Sequence, residues 1–344
     1  MNTNPTTFLG DEEPPHHQWH EQGRIDGWPG DASYGWPTAK LLQPQPLPEA
    51  PSDFLAFWHD AYAEAEALPP SLRLDSELDV PPALATTHRL HRGSFTSTDG
   101  VRVGCFVLLP LDGQPTMNLT VGHGYGGRAY PELDEGIVAA TDAVILPVTR
   151  GLPELSITPG IPSEAWGHVL HGIESPSTYV LRGCIQDLWR ASAELDHLVG
   201  TRPRTYQGVS FGGGTGALAL LGGNYARAAL HVPTFGNHPL RVTLACVGSG
   251  GAVASYVQEH PEALDVLAYF DAATAASRVT TPTMVGAALW DPAVPPPGQF
   301  AVYHALAGPK ELVVTSCGHT DYPGAQEEES RRTSMFNSWL HALR

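Results

Sequence analysis

Residues 205–221 read TYQGVSFGGGTGALALL, and how this stretch is parsed decides the fold. The run TYQGVS suits a short strand, and the small residues from Gly212 suit a helix that packs closely on its neighbours. Between them, Gly208-Val209-Ser210-Phe211-Gly212 fits the G-x-S-x-G pattern of a serine nucleophile on a strand-to-helix turn. The glycines are required for steric reasons. Where a strand reverses sharply into a helix, the flanking positions hold nothing larger than hydrogen. The Ser210 hydroxyl then projects at the carboxyl end of a sheet, and the next amide, that of Phe211, faces a reacting carbonyl.

Working outward, short apolar runs alternate with helical patterns. NLTVG and AVILPV read as buried strands, 178–199 as a helix, and AALHV, TPTMVGAAL and ELVVTS as further strands. Helices are expected near PGQFAVYHAL and from Glu327 to Leu343. Upstream, THRLHRGSFTS and VRVGCFVLLP form two β runs joined by an Asp99-Gly100 turn. In PSDFLAFWHDAYAEAEAL, residues Phe54, Phe57, Trp58, Tyr62 and Ala65 share a helical face, with Ser52 as cap. Strands alternating with helices predict an α/β fold of the α/β-hydrolase kind, a mostly parallel sheet with helices on both faces. Residues 1–50 show no helical or strand period and read as an irregular extension ahead of a catalytic domain at 51–344.

A nucleophilic serine needs a base and an acid, and in this fold both follow it in the chain, acid first. Asp291 directly follows a buried strand in AALWDPAVPP, and His319 follows the next strand in ELVVTSCGHTDY. An ionised Asp291 would orient the imidazole, and His319 would take the Ser210 proton. Asp265 and Asp271 precede or flank a strand, His304 and His341 sit in helical patterns, and His231 comes too early in the chain order. For the oxyanion, one donor is the Phe211 amide. The second is expected from the glycine-rich loop Gly122-His123-Gly124-Tyr125-Gly126-Gly127, at the Tyr125 amide.

Composition narrows the setting. Of 344 residues, 42% are hydrophobic and only 16% charged, yet the formal net charge is −17, which disfavours nucleic acid or anionic membrane as partner. No stretch is long and apolar enough to span a bilayer, and the first residues lack a secretory pattern, so a cytoplasmic location is expected. Cys105, Cys184, Cys246 and Cys317 form no CxxC pair and read as reduced thiols, with Cys317 close to His319 in sequence but outside the chemistry. His16, His17 and His20 have no cysteine among them and read as part of an irregular polar segment, so no metal site is expected.

With these residues placed, the chain from about Pro51 onward resembles the acetyl xylan esterase and cephalosporin C deacetylase family, carbohydrate esterase family seven. The resemblance rests on DFLAFWHDAYAEA, FVLLP, HGYGGR, Arg150-Gly151, HGIESPSTYVLRGCIQDLWRA, GVSFGGG, HVPTFGNHPLRV, the segment ending in WDPAVPP, and CGHTDY, all in the family's order. It implies Ser210, Asp291 and His319 as triad, the Tyr125 and Phe211 amides as oxyanion hole, and removal of acetyl groups from sugars and related alcohols without a cofactor. It also implies a homo-oligomer, commonly a hexameric ring, with the segment from Leu152 to Pro176 serving subunit contacts or site walls. Three positions depart from the family pattern: Phe211 and Leu152 stand where glutamine is usual, and Thr320 follows His319 where glutamate is usual.

The expected reaction is a two-step acyl transfer on a small-molecule ester. The rival readings are a prolyl-oligopeptidase-type peptidase and a binding protein on a hydrolase fold that has lost its chemistry. The first normally carries a large propeller or lid domain; the second is disfavoured by retention of Ser210, Asp291 and His319 together.

Overall fold

The computed structural model describes residues 5–14, 30–130 and 137–343. Ten strands build one sheet: β1 (Thr6–Phe8), β2 (Arg73–Leu78), β3 (His88–Thr96), β4 (Arg102–Pro110), β5 (Met117–Gly122), β6 (Asp142–Pro147), β7 (Arg204–Val209), β8 (Tyr225–His231), β9 (Thr283–Trp290) and β10 (Lys310–Cys317). Their order across the sheet is β1-β10-β9-β8-β7-β5-β6-β4-β3-β2. From β1 to β6 every pairing is parallel; β4, β3 and β2 add an antiparallel margin.

The central strands carry near-continuous apolar sequence because both faces are covered. Every residue of β5, β6 and β9 is buried. On one face lie the helices Phe54–Glu66, Val180–Val199 and Phe211–Ala219, locked by edge-to-face packing of Trp58, Trp189 and Phe270. On the other, Ala325–His341 lays Phe336 and Leu340 against β-strand residues such as Ala229 and Met284.

This order fixes where chemistry can occur. After β5 the chain adds β6 on one side and β7 on the other, so loops leaving β5 and β7 diverge and open a crevice at their carboxyl ends. The loops after β9 and β10 emerge at that same sheet edge because those strands run parallel to β7 and β5.

The structure departs from the sequence-based expectations in several places. Residues 6–8, expected to be irregular, pair in parallel with β10 at its outer edge, and Thr38–Leu41 forms a helical turn whose Leu41 enters the core. Three residues are too few to show a period, and their pairing partner lies more than 300 residues away. Strand β2 went unread because its burial follows no alternation at an exposed margin. Ser52 does not cap the first long helix. Asp53 holds the N-cap position without a capping bond, and its carboxylate accepts from the Tyr269 hydroxyl at 2.6 Å. His16, His17 and His20 lie outside the described residues.

Candidate active site

Ser210 sits between β7 and the helix Phe211–Ala219 with φ 53° and ψ −108°, a conformation that side chains rarely adopt. The surrounding backbone holds it there. The Ser210 amide donates to His231 O at 2.8 Å, and its carbonyl accepts from Gly214 N at 2.9 Å and Thr234 N at 3.2 Å. A Cβ on Gly208 would overlap the Gly212 carbonyl oxygen, and one on Gly212 would lie 2.6 Å from the Gly122 carbonyl carbon. The glycines around Ser210 thus admit the helix N-terminus against both β7 and the end of β5.

The other two residues arrive from adjacent strands. Asp291 follows β9 and is fully buried; His319 follows β10, with its side chain 28% accessible. His319 Nδ1 lies 2.8 Å from Asp291 Oδ2 and 3.1 Å from Oδ1, and Nε2 lies 2.9 Å from Ser210 Oγ. An ionised carboxylate only accepts, so Nδ1 carries a proton and, in the neutral ring, Nε2 is the free acceptor facing the serine hydroxyl. Burial works against protonating His319, but the charge and hydrogen bond of Asp291 outweigh it, and the imidazole pKa is raised above its ordinary value.

Asp291 is held on every side. Oδ1 accepts from the amides of Ala293 and Val294, each at 2.9 Å, and Oδ2 accepts from Gln299 Nε2 at 3.0 Å. Gln299 also donates to Val294 O at 2.6 Å and accepts from Ala288 N at 2.8 Å, tying strand β9 to the acid loop. Residues of the N-terminal extension reach the same place: Asp291 N donates to Ala32 O at 3.0 Å, and the Tyr34 hydroxyl to Asp291 O at 3.4 Å.

Tyr125 and Phe211 are neighbours, with ring centroids 4.4 Å apart. Among the described residues, neither backbone N–H donates to an acceptor. The loop bearing Tyr125 is anchored by two histidines that the sequence did not single out. His123 donates from Nδ1 to Gly124 O at 2.6 Å and accepts at Nε2 from Thr149 N at 3.1 Å. Burial, helped by the Arg128 charge, pushes its pKa down to about 3 and keeps it neutral. His168 donates from Nε2 to Arg150 O at 2.9 Å, leaving Nδ1 to accept from the Tyr125 hydroxyl at 2.8 Å. Burial pushes it down to about 4. His168 belongs to the 152–176 segment, which thereby contacts the loop bearing Tyr125. Phe211, in place of the family's glutamine, fills an aromatic cluster with Tyr125, His123 and Phe235, and Leu152 is fully buried.

The remaining candidates do other work. Asp271 caps the helix Ala272–Ala276 by accepting from Ala273 N and Thr274 N, and His304 and His341 lie in helices. Among the described residues no cluster of three His, Cys, Asp or Glu side chains is arranged to hold a metal ion, and no helix is long and apolar enough to cross a membrane.

A family model described as acetyl xylan esterase (AXE1) matches residues 35–336. The chain belongs to this family. As a member of the acetyl xylan esterase family it is a carboxylic ester hydrolase on an α/β-hydrolase fold. Among solved structures it is similar to the acetyl xylan esterase from Paenibacillus sp. R4, at 21% identity and TM-score 0.76, over 88% of this chain and 99% of the other. It is also similar to acetyl xylan esterase 1 from Thermoanaerobacterium sp. JW/SL YS485, at 19% identity and TM-score 0.73, over 87% and 98% of the two chains. A more distant likeness joins it to the acylaminoacyl peptidase of Pyrococcus horikoshii, at 12% identity and TM-score 0.56, over 73% of this chain but 40% of that one. These likenesses carry the fold. Comparison with curated proteins found no match.

Proposed function

We propose that this chain removes acetyl groups from acetylated sugars, with Ser210 as nucleophile, His319 as general base and acid, and Asp291 as the group that orients and charges-balances His319. The observation that carries this reading is the continuous line of contacts from Asp291 through His319 to Ser210 Oγ, at 2.8 and 2.9 Å, in a member of an esterase family.

In the first step Ser210 Oγ bonds to the ester carbonyl carbon while its proton moves to His319 Nε2. The carbonyl oxygen takes the negative charge and accepts from the Phe211 and Tyr125 amides, the former at a helix N-terminus whose dipole favours an anion. The bond to the alcohol oxygen then breaks, and the alcohol leaves with the His319 proton. In the second step water gives a proton to His319, attacks the acyl carbon and releases acetate as Ser210 regains its hydrogen.

The finer setting belongs to the same proposal. Cephalosporin C, another acetyl ester, is included among the substrates. All four cysteines are free, which suits a reducing, cytoplasmic compartment. Ile157 and Trp166, each 65% exposed on the 152–176 segment, are the side chains that a homo-oligomer would cover.

The test is acetate release over acetylated xylo-oligosaccharides, other acetylated sugars and cephalosporin C, with Ser210→Ala as control. Labelling by a fluorophosphonate probe should be confined to Ser210. Folded protein that neither labels nor releases acetate would end the reading.

A further inference from the structure

Arg241 is a buried cation without a counter-charge. It is 3% exposed, in the turn His238–Arg241 that follows the loop after β8. Its Nη2 donates to Thr234 Oγ1 at 3.2 Å, while Nε and Nη1 have no partner at all. Among the described residues no carboxylate pairs with it. The two buried carboxylates of the neighbourhood are committed elsewhere: Asp291 to His319 and the amides of its loop, Asp271 to the amides of His238, Ala273 and Thr274.

A guanidinium removed from water is ordinarily matched by a carboxylate or fully hydrogen-bonded, because an unpaired buried charge is strongly destabilising. Orphaned groups of this kind in a native fold call for a missing partner. The position of Arg241 indicates which partner. Thr234, its one hydrogen-bonded neighbour, donates its own amide to the Ser210 carbonyl. The guanidinium lies 5.6 Å from the Phe235 ring centroid, and that ring packs on Phe211, the residue after the nucleophile. On its other side, a Cβ at Gly250 would lie 2.7 Å from Nη2, so the backbone there closes against it. Its charge is also felt at Tyr34, Tyr125 and Tyr179. Tyr179 is 1% exposed, and its hydroxyl has no partner either. Arg241 and Tyr179 are thus two buried groups with unpartnered polar atoms, and Arg241 is joined through Thr234 to the turn that bears Ser210.

We propose that Arg241 is a specificity-determining residue that receives a carboxylate carried by the ester substrate, with the Tyr179 hydroxyl as a second donor. The proposal rests on the esterase reading of Ser210. A planar guanidinium with free N–H groups matches a carboxylate better than it matches neutral hydroxyls. The carboxylate can lie on the alcohol half, as in an acetylated sugar acid, or on the acyl half, as in the half-ester of a dicarboxylic acid.

The experiment compares kcat/KM for matched esters in which carboxylate is replaced by carboxamide. One arm uses an acetylated methyl glycoside of a uronic acid and its uronamide; the other uses 4-nitrophenyl hydrogen succinate and its amide. The expected result is a preference of about 10- to 100-fold for the carboxylate in one arm, the size of a hydrogen-bonded charge contact. That preference should fall to about 2-fold or less in Arg241→Met and be partly kept in Arg241→Lys. No preference in either arm, or one that survives in Arg241→Met, overturns the proposal. If Arg241→Met does not fold, the Arg241→Lys ratio decides: a ratio equal to wild type counts against the proposal, and a reduced one supports it. Hydrolysis of neutral 4-nitrophenyl acetate, dependent on Ser210, is measured alongside; its absence would fail the esterase reading rather than the Arg241 assignment.

Discussion

Gly318 and Asp291 are packed so closely that a Cβ on the glycine would overlap Asp291 Oδ2 and lie 3.0 Å from its carboxylate carbon. The Gly318 amide donates to Trp290 O at 2.8 Å, so the end of β10 is clamped to the end of β9 immediately before His319. This closeness is what lets the imidazole and carboxylate meet although they belong to different strands. Gly318→Ala should therefore push the two apart. A displacement near 1 Å costs about 100-fold in rate. We expect kcat to fall by about that factor, with far-UV circular dichroism unchanged, and steady-state acetate release checks it.

The raised His319 pKa sets a pH dependence. His319 must be neutral to act as base, so kcat/KM should climb with pH through a midpoint above 6.5 and then level. In Asp291→Asn the carboxylate attraction is gone while burial remains, so the midpoint should drop below that value. The same variant should lose about 10,000-fold in kcat, because the amide no longer enforces the required tautomer. Stability carries the opposite sign. A folded-state pKa raised above the unfolded one stabilises the fold below about pH 6.5, and that contribution fades as pH rises through the folded value. Urea unfolding of wild type and His319→Ala should thus differ more at about pH 6 than at about pH 8.

Gln299 bridges Ala288, Val294 and Asp291 while fully buried. Gln299→Leu would strand the Ala288 amide and the Val294 carbonyl without their partner and leave Asp291 Oδ2 only its contact with His319. A loss of about 1–3 kcal/mol is expected for such groups, read from denaturant midpoints. Activity should fall as well, since Asp291 would be held toward His319 by its loop amides alone.

Tyr125→Phe separates side chain from backbone. The variant keeps the amide proposed for the oxyanion but removes the hydroxyl bonded to His168 Nδ1. We expect kcat to fall less than about 10-fold and stability by about 1 kcal/mol, well short of the 100- to 1,000-fold typical of a lost oxyanion donor. A loss in that larger range would mean that the His168 contact governs the loop conformation itself.

The difference between what could and could not be read from the chain follows the range of each interaction. The turn at Ser210 was legible because its requirement is local: Gly208 and Gly212 touch each other across four residues. Asp291 and His319 were legible because each follows an apolar strand, and chain order does the rest. Gln299 and His168 gave no comparable signal, being single polar residues in a helix and a long segment whose partners are reached only through the fold. Arg241 is the harder case, since an arginine two residues after a proline looks like surface until burial is known. Ser52 misled because a capping serine and an aspartate stood side by side, and the aspartate was drawn to Tyr269 instead.

Pairing of β1 with β10 has a kinetic consequence. Residues 6–8 leave the ribosome more than 300 residues ahead of their partner, so this pairing waits until β10 has been made. Until then the outer margin of β10 has no strand beside it and is open to pairing with other chains. Shortening the protein ahead of residue 10 should accordingly show up as aggregation during expression and refolding before it shows up in catalysis.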